Sequence, residues 1–183
     1  MSRVKLIFKG VTEVVGAEDV GLIVLVDEEE KRQLVIPCDQ NMLSQFELRI
    51  QHQPIVQMML PEVLWNVIQS QTSLHFEIII NDLIKGQYKA IFYNINTLDM
   101  LSIRVSDALL LAQISNIPVY IDEDLMRKQS VEYNKDSHNM ALPVNTITDD
   151  MLKSALEKAI QEENYELASH LRDEMKRRNL PNA

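Results

Sequence analysis

The sequence predicts an α+β protein with a mixed, mostly antiparallel sheet, packed helices and a C-terminal αα-hairpin. Two observations predict this class. Aliphatic and β-branched runs bounded by turn residues fill residues 1–40 and return between residues 74 and 121, and such runs are typical of strands joined by short turns. Apolar residues recur every three or four positions after residue 148, which is typical of amphipathic helices.

The N-terminal residues are predicted to form a β-hairpin. Residues 4–8 alternate loosely, residues 21–26 are a continuous aliphatic run, and residues 34–37 return after the charged turn 27–31. The adjacent glutamates of that turn are interpreted as a solvated hairpin tip rather than a metal loop. Cys38 ends the returning strand, and burial as a small apolar side chain is the role expected for it.

Two helices are predicted next. Asp39 is the expected N-cap of a helix over residues 39–51, and Pro61 is a favourable first-turn residue for a second helix. Trp65, the single tryptophan, is interpreted as a core or interface anchor. Apolar residues at helical spacing predict the apolar face of each helix: Met42, Leu43, Phe46 and Ile50 in the first, and Leu60, Leu64, Val67 and Ile68 in the second.

The middle of the chain predicts further strands and helices in alternation. A polar turn at residues 81–86 separates two of the strands, and Asp122 is the expected cap of a short helix that closes this part of the chain. The predicted elements are strands over residues 74–80, 87–93 and 98–105, a helix over 106–115 and a strand over 117–121.

A shift in composition predicts the domain boundary. Residues 129–147 carry Asn, Ser, Asp, His and Pro without a clear period, which predicts a linker. The predicted organisation is therefore a domain over residues 1–128, a linker over 129–147 and a helical hairpin over 148–183.

The composition excludes several functional classes. With four glycines, the chain contains neither GxGxxG nor a P-loop. The single cysteine rules out an intrachain disulfide and a cysteine-based zinc site. The N-terminal apolar run breaks at Lys9, and no apolar run has membrane-spanning length, so a cytoplasmic protein that does not insert into a membrane is expected.

The charge balance limits the modes of nucleic-acid binding. The net charge is −9, and the parts before and after Ile147 carry −7 and −2. Tight, sequence-independent binding depends on clustered lysine and arginine, so this balance weakens it. An enzyme that contacts the phosphate backbone locally, with a metal ion, remains compatible with the charge.

The C-terminal hairpin carries a specific pattern over residues 156–176. A Leu-Glu start is followed by an acidic-aromatic hinge, then by residues 165–168 (Tyr-Glu-Leu-Ala) and residues 171–174 (Leu-Arg-Asp-Glu). This order closely resembles the UVR motif that bacterial excision-repair subunits share with some stress-response adaptors. The alternative is a plain amphipathic tail.

The UVR resemblance implies that the hairpin docks onto a protein partner, often a similar hairpin. The residues that it implies for partner binding are Tyr165, Leu171, Arg172 and Asp173. Tyr165, Ala168, Leu171 and Met175 are predicted to share the apolar face of the second helix, opposite Leu152, Ala155, Leu156, Ala159 and Ile160 in the first. The charged residues 172–174 and 176–178 are interpreted as a solvated face.

The body has its own distinctive segment at residues 102–112. A strand runs through a Ser-Asp corner into a helix, and a strand beginning Ile-Pro-Val-Tyr follows at residue 117. Together these features resemble the bifunctional nuclease family, in which a strand leads into Arg-Pro-Ser-Asp-Ala and a helix. The order of the earlier hairpin and helices agrees, so the resemblance spans roughly residues 4–125.

The family resemblance implies an α+β homo-oligomer that acts on DNA and RNA with Mg²⁺ or Mn²⁺. Carried over by position, Arg104, Ser106 and Asp107 are the implied catalytic residues. Arg104 would contact a phosphate, Asp107 would bind the metal ion or orient water, and Ser106 would cap the helix.

The alternative is a body without catalysis. Val105 stands where the family has a proline, and residues 58–63 (Met-Met-Leu-Pro-Glu-Val) stand where it has Arg-Pro followed by Thr-His-Asp. Asp39 is the nearest acid at the hairpin-to-helix joint, where the family has a glutamate. Under this alternative the strand-to-helix corner is a capped helix start with a local ion pair. The body would then be an oligomerising platform, and the hairpin would recruit a partner.

Overall fold

The computed structural model describes residues 2–14, 17–134, 149–161 and 163–180. The chain forms two compact units. The first unit, here called the body, comprises Met1–Asp82 and Tyr88–Asp136. The remaining residues, among them the C-terminal helices, form the second unit, and each unit is described by itself.

An eight-stranded mixed sheet organises the body. Its strands are β1 (Arg3–Val14), β2 (Ala17–Asp27), β3 (Arg32–Asp39), β4 (Phe76–Ile84), β5 (Gln87–Asn94), β6 (Met100–Arg104), β7 (Val119–Asp122) and β8 (Val131–Glu132). The strand order is β6-β5-β4-β7-β1-β2-β3-β8. β4 and β7 run parallel, whereas β1 pairs antiparallel with β2 and β7, and β3 with β2 and β8. The predicted α+β class with a mostly antiparallel sheet is confirmed.

The helices of the body pack against this sheet. They are α1 (Gln40–Ile50), a 3₁₀ helix (Pro54–Met58), α2 (Leu60–Gln71), α3 (Val105–Ser115) and α4 (Glu123–Gln129). Asp122 caps α4 as predicted, because its Oδ1 accepts hydrogen bonds from the backbone N–H groups of Asp124 and Leu125. Trp65 of α2 is buried, as predicted, and meets the ring of Phe76 edge-on at 6.2 Å.

The N-terminal hairpin supplies much of the core. Its two strands bury a continuous aliphatic set that is fully enclosed at Ile23, Val26, Leu34 and Ile36. The turn between them is fixed by Asp27, whose Oδ1 accepts hydrogen bonds from the backbone N–H groups of Lys31 at 2.8 Å and Arg32 at 3.0 Å. The predicted hairpin is therefore confirmed, and the Asp27 carboxylate stabilises its turn by accepting backbone hydrogen bonds.

The turn between β4 and β5 is shorter than predicted. Asn81 and Asp82 are typical turn residues, but they lie within β4, and only Lys85 and Gly86 connect the strands. Both have positive φ, 50° and 75°, which suits a tight two-residue hairpin turn. The prediction assigned Asn81 and Asp82 to the turn because they are polar. Both side chains are exposed near the end of β4, where a strand tolerates polar residues.

The predicted apolar stripe of α2 faces solvent rather than the core. Leu60, Leu64, Val67 and Ile68 are all exposed, and Ile50 at the end of α1 is exposed as well. Helix α2 instead buries Glu62 and Trp65. The physical reason is an ion pair between Arg49 and Glu62, whose Nη2–Oε1 distance is 2.7 Å, because this contact turns the opposite side of the helix toward the body.

The first residues of the predicted linker belong to the sheet. Val131 and Glu132 pair antiparallel with Gln33 and Arg32 of β3, and the backbone N–H of Tyr133 donates to the carbonyl of Lys31 at 2.8 Å. Residues 135–148, which hold most of the predicted linker and Thr148, lie outside the described residues.

The C-terminal unit contains two helices, α5 (Asp149–Gln161) and α6 (Tyr165–Arg177). They share a core, and the predicted helical hairpin is confirmed. Its buried members are Leu152, Leu156, Ala159, Ala168, Leu171 and Met175. Helix α5 ends in a Schellman-type turn, with Glu163 at φ 57° and the Asn164 N–H donating to the Ala159 carbonyl at 2.8 Å. Each described helix of the protein is too short or too polar to cross a membrane.

Candidate functional site

Two strand-to-helix joints of the body meet at one place. Strand β3 passes into α1 at Asp39, and β6 passes into α3 at Arg104. The Arg104 Nη1 donates to Asp39 Oδ2 at 3.3 Å, across 65 residues of sequence. Together with Asp107, in the first turn of α3, these side chains form what is here called the Asp39–Arg104–Asp107 cluster.

The predicted pair of Arg104 and Asp107 is brought together in bidentate geometry. Arg104 Nε donates to Asp107 Oδ2 at 2.7 Å, and Nη2 donates to Oδ1 at 3.0 Å. The hydrogen bonds that Arg104 donates to Asp107, followed by the Coulombic attraction of both carboxylates, raise the pKa of Arg104 above its ordinary value. The side chains of the cluster are 44–58% exposed, so solvent screens the pairing and a ligand can reach all three groups.

Asp39 has two roles in this arrangement. Its Oδ1 accepts a hydrogen bond from the Met42 backbone N–H at 2.8 Å, which caps α1 as predicted, while Oδ2 faces Arg104. The sequence indicated Asp39 as a cap but did not place it with Arg104 and Asp107. One signal was available, because Asp39 and Arg104 occupy equivalent positions at the ends of strands that lead directly into helices.

Ser106 does not cap α3, and that prediction is wrong. The helix begins at Val105 and has Arg104 as its N-cap residue, so Ser106 is already within the first turn. Its side chain is buried, whereas Arg104 and Asp107 are exposed. Ser106 is therefore not accessible to a ligand in the way that Arg104 and Asp107 are.

Cys38 precedes Asp39 in the chain, and its thiol is expected to be unreactive. Burial, and secondarily the charge of Asp39, raise the pKa of its thiol from 9.0 to about 12, although Arg104 lowers it. A thiol with this pKa stays protonated near neutral pH and is a poor nucleophile. Cys38 also packs close to the backbone of β2, because a Cβ on Gly21 would lie 2.9 Å from its Sγ.

The oxygen ligands of the cluster suit a hard divalent cation. Mg²⁺ is commonly held by one or two carboxylates together with substrate phosphates, and Asp39 and Asp107 supply two carboxylates. Among the residues that the structure describes, no group of three or more His, Cys, Asp or Glu side chains forms a metal cage. The guanidinium of Arg104 reaches both carboxylates, so a cation would compete with it for their oxygens.

Glu62 is the one acidic residue in the segment 58–63, where the family has Arg-Pro followed by Thr-His-Asp, and it does not lie in the cluster. Its carboxylate is buried against Arg49, with Nη2–Oε2 at 2.9 Å, and both residues border a cavity of about 410 Å³. That cavity also includes Gln113 and Asn116 at the C-terminal end of α3. The cluster lies at the opposite end of this helix. At a rise of about 1.5 Å per residue, Asp107 and Gln113 are about 9 Å apart along the helix axis, and Arg104 and Asn116 about 18 Å.

Comparison with known families decides the assignment of the body. The bifunctional nuclease domain matches residues 23–134, which run from within β2 through β8 and include all three members of the cluster. The chain belongs to the bifunctional nuclease domain family. The UvrB/uvrC motif, UVR, matches residues 152–177, and no curated protein matches the chain.

In the UVR motif, the residues expected to bind a partner fall into two groups. Leu171 is buried between α5 and α6 and supports the hairpin from inside. Arg172 and Asp173 are exposed on α6, with Asp173 at 3.9 Å from Lys176. Tyr165, predicted to share the buried face, is instead 69% exposed, because it begins α6 immediately after the turn.

The turn of the UVR hairpin presents apolar side chains to solvent. Ile160, also predicted to be buried, is exposed just before the turn, and Tyr165 is exposed just after it. The αL residue Glu163 reverses the chain between them. The tip of the hairpin therefore offers an apolar contact flanked by charge, an arrangement that suits protein docking.

The predicted solvated face of α6 is wrong at Glu174 and Arg178. Both side chains are buried, and Arg178 Nε donates to Glu174 Oε1 at 2.7 Å. Arg178 Nη1 also contacts Asp149 Oδ1 at 3.0 Å. This ion-pair network joins the start of α5 to the end of α6, and therefore holds the hairpin closed at the end opposite the turn.

Proposed function

We propose that the bifunctional nuclease domain cleaves phosphodiester bonds of DNA or RNA at the Asp39–Arg104–Asp107 cluster, and that the UVR motif docks the chain to a protein partner. The observation that carries the first half is the convergence of two carboxylates and a guanidinium at two strand-to-helix joints. Phosphoryl chemistry uses both kinds of group. The guanidinium binds the phosphate, and the carboxylates hold a metal ion or a water.

Arg104 is assigned the phosphate contact. Its planar fork, which now binds Asp107 in bidentate fashion, matches the geometry of a phosphate as well as that of a carboxylate. Because the pair is exposed, exchanging one anion for another costs little. An arriving phosphate would draw the guanidinium away and leave both carboxylates available.

The carboxylates of Asp39 and Asp107 are assigned to Mg²⁺ or Mn²⁺. A divalent cation bound there would polarise the phosphodiester and lower the pKa of an attacking water. Asp107 extends from the first turn of α3, and its position is fixed by the helix backbone. Ser106 is assigned a supporting role, because its side chain is buried.

The test is a cleavage assay on single-stranded and double-stranded DNA and RNA, with and without Mg²⁺ or Mn²⁺. Metal-dependent cleavage that is lost in Asp107→Ala supports the proposal. Asp124→Ala is the matched control, because Asp124 forms an exposed ion pair with Arg127 at the same i,i+3 spacing. Full activity of Asp107→Ala would remove Asp107 from the mechanism.

A second candidate is a non-catalytic platform that recruits a partner through its UVR motif. The observation that favours it is the present engagement of Arg104 with both carboxylates. In this case no substrate is cleaved, and deleting residues 148–183 abolishes capture of the partner while the body stays folded. Unchanged partners after the deletion would contradict this candidate.

Both candidates include self-association and a cytoplasmic location. Family resemblance supports a homo-oligomer, and the exposed apolar side chains of α2 are compatible with one. The single thiol, Cys38, is compatible with a reducing compartment. Light scattering tests the first point, and fractionation of cells that express the chain tests the second.

A further inference from the structure

Helix α2 carries its apolar stripe on the side that faces solvent. The helix has the pattern of an amphipathic element, with apolar residues at i, i+3, i+4, i+7 and i+8. A helix of a single folded chain normally buries such a stripe. The stripe consists of Leu60, Val63, Leu64, Val67 and Ile68, and each is 39–68% exposed.

The orientation of α2 is fixed from its other side. Glu62 is paired with Arg49 of α1 at 2.7 Å, and both side chains are about nine-tenths buried. One turn along, Trp65 packs edge-on against Phe76 of β4. A rotation that buried the stripe would break the ion pair and leave Arg49 buried without its counter-ion, which is strongly unfavourable.

Strand β6 also exposes an apolar side chain, on the face of the sheet that carries α2. Phe76 stacks on Phe92 of β5 at 4.7 Å between ring centroids, and Phe92 lies directly opposite Leu101 of β6. Directly opposed residues share one face of a sheet, so Leu101 lies on the same face as α2, and it is exposed. The stripe and Leu101 are here called the α2–β6 surface.

Strand β6 is also an edge of the sheet. Within the described residues it pairs with β5 alone, and residues 100–103 (Met-Leu-Ser-Ile) carry no charge. Proteins commonly protect an exposed edge with charges or with another segment. The uncharged edge and the uncharged helix stripe are therefore both surfaces suited to being covered.

Charge favours a second copy as the occupant. The chain carries −9, so two copies repel each other wherever charged surfaces meet. On α2 the only charged residue is Glu62, which Arg49 neutralises, so copies can approach along this surface without that repulsion. A strongly basic or acidic partner would find no complementary charge here.

The area is of the size that a dimer needs. A fully accessible aliphatic side chain presents on the order of 100 Å², so the α2–β6 surface offers roughly 300 Å² of apolar area per copy. A standard interface buries about 800 Å² per partner, of which somewhat more than half is apolar. The α2–β6 surface therefore supplies most of the apolar area of a standard interface. Polar residues around it would form the rim.

We propose that the α2–β6 surface binds the same surface of a second copy of this chain about a two-fold axis. Such an isologous contact is closed and self-complementary, and it covers the stripe and the edge of β6 together. The inference deepens the homo-oligomer of the proposed function and names its interface. It does not depend on cleavage, so a failed nuclease assay leaves it unchanged.

The test measures the mass of the full chain in solution by sedimentation and light scattering, from about 1 µM to about 100 µM. A dimer is expected, and the double variant Leu64→Glu/Val67→Glu is expected to weaken self-association at least tenfold. Gln69→Glu is the control, because Gln69 lies on the opposite side of the same helix at 100° per residue. Circular dichroism reports whether each variant is folded.

A second variant keeps the test independent of folding defects. Under mild oxidation, Val67→Cys is expected to form a cross-linked dimer across the two-fold axis, whereas Gln69→Cys stays monomeric on a denaturing gel. The native Cys38 is present in every variant, and its raised pKa keeps it slow to oxidise. A wild type that is monomeric throughout the range, or a dimer that the stripe glutamates leave intact, would overturn the proposal.

Discussion

Arg104 and Asp107 form a bidentate ion pair with distances of 2.7 and 3.0 Å at the start of α3. The third contact of Arg104, to Asp39, joins this helix start to the start of α1. Local helix geometry alone explains the first pair, because i,i+3 side chains are neighbours on a helix. The contact with Asp39 depends on the fold, and it turns a local pair into a candidate site.

Gly21→Ala is expected to destabilise the body. An added Cβ would lie 2.9 Å from Cys38 Sγ and 3.0 Å from Leu43 Cβ, so β2, β3 and α1 would have to separate. Overpacking of this kind costs about 1–3 kcal/mol. Urea unfolding measures the change in the free energy of unfolding, and Gly21→Ala/Cys38→Ala should recover part of the loss. A Gly21→Ala variant of unchanged stability would contradict the close approach.

Arg178→Ala is expected to open the UVR hairpin. Removing the buried guanidinium leaves Glu174 with only the exposed Arg177 as its partner and also breaks the contact with Asp149. Because a cation still reaches Glu174, the expected cost is about 1–3 kcal/mol, below the full penalty for an unpaired buried charge. Amide hydrogen exchange of α5 and α6 in the full chain should then rise sharply. Arg177→Ala is the control, because Arg177 contacts the same Glu174 but is 66% exposed. Equal exchange in the two variants would contradict the account of the ion-pair network.

The Cys38 thiol predicts a loss of stability at alkaline pH. Its pKa is raised from 9.0 to about 12 in the folded state, so the unfolded chain releases this proton first as pH rises. The stabilising contribution is complete below pH 9 and disappears progressively toward pH 12. Between these values the free energy of unfolding should fall more steeply in the wild type than in Cys38→Ala. Parallel profiles in denaturant titrations would contradict the burial of the thiol.

Glu62→Ala is expected to loosen α2. The buried Arg49 would lose its counter-ion, and the helix would lose the contact that fixes its rotation. A loss of about 3–5 kcal/mol in the free energy of unfolding follows from leaving one member of a buried pair without its partner. Chemical denaturation measures it beside Asp124→Ala, which removes an exposed carboxylate. Equal stability of the two variants would show that the pair does not hold α2.

The sequence predicts most elements of this fold but not the orientation of α2. Asp39 and Asp122 are recognisable caps because their type and position suit a helix start. Periodicity identifies the α2 stripe, yet it cannot say whether that stripe meets the chain's own core or another surface. The decision depends on Arg49 and Glu62, which are 13 residues apart and meet only after folding.

The candidate site is likewise predicted in part. Arg104 and Asp107 are close in sequence, so a local pattern suffices to pair them. Asp39 joins them only because the sheet brings two distant strand ends together. At Glu174 and Arg178 the sequence is misleading, because charged residues on a helix are normally expected to be exposed. Both side chains are instead buried in ion pairs with partners of opposite charge.

The metal-dependent cleavage rate of Asp39→Asn tests directly whether the active site is the Asp39–Arg104–Asp107 cluster. Asparagine is as good an N-cap as aspartate, so α1 should keep its start while the cluster loses one carboxylate. We expect a fall of about 100-fold or more, as for loss of a catalytic acid, base or electrostatic group, and an unchanged rate in Asp124→Asn. Cleavage by Asp39→Asn at the wild-type rate would contradict the assignment of the active site to the Asp39–Arg104–Asp107 cluster.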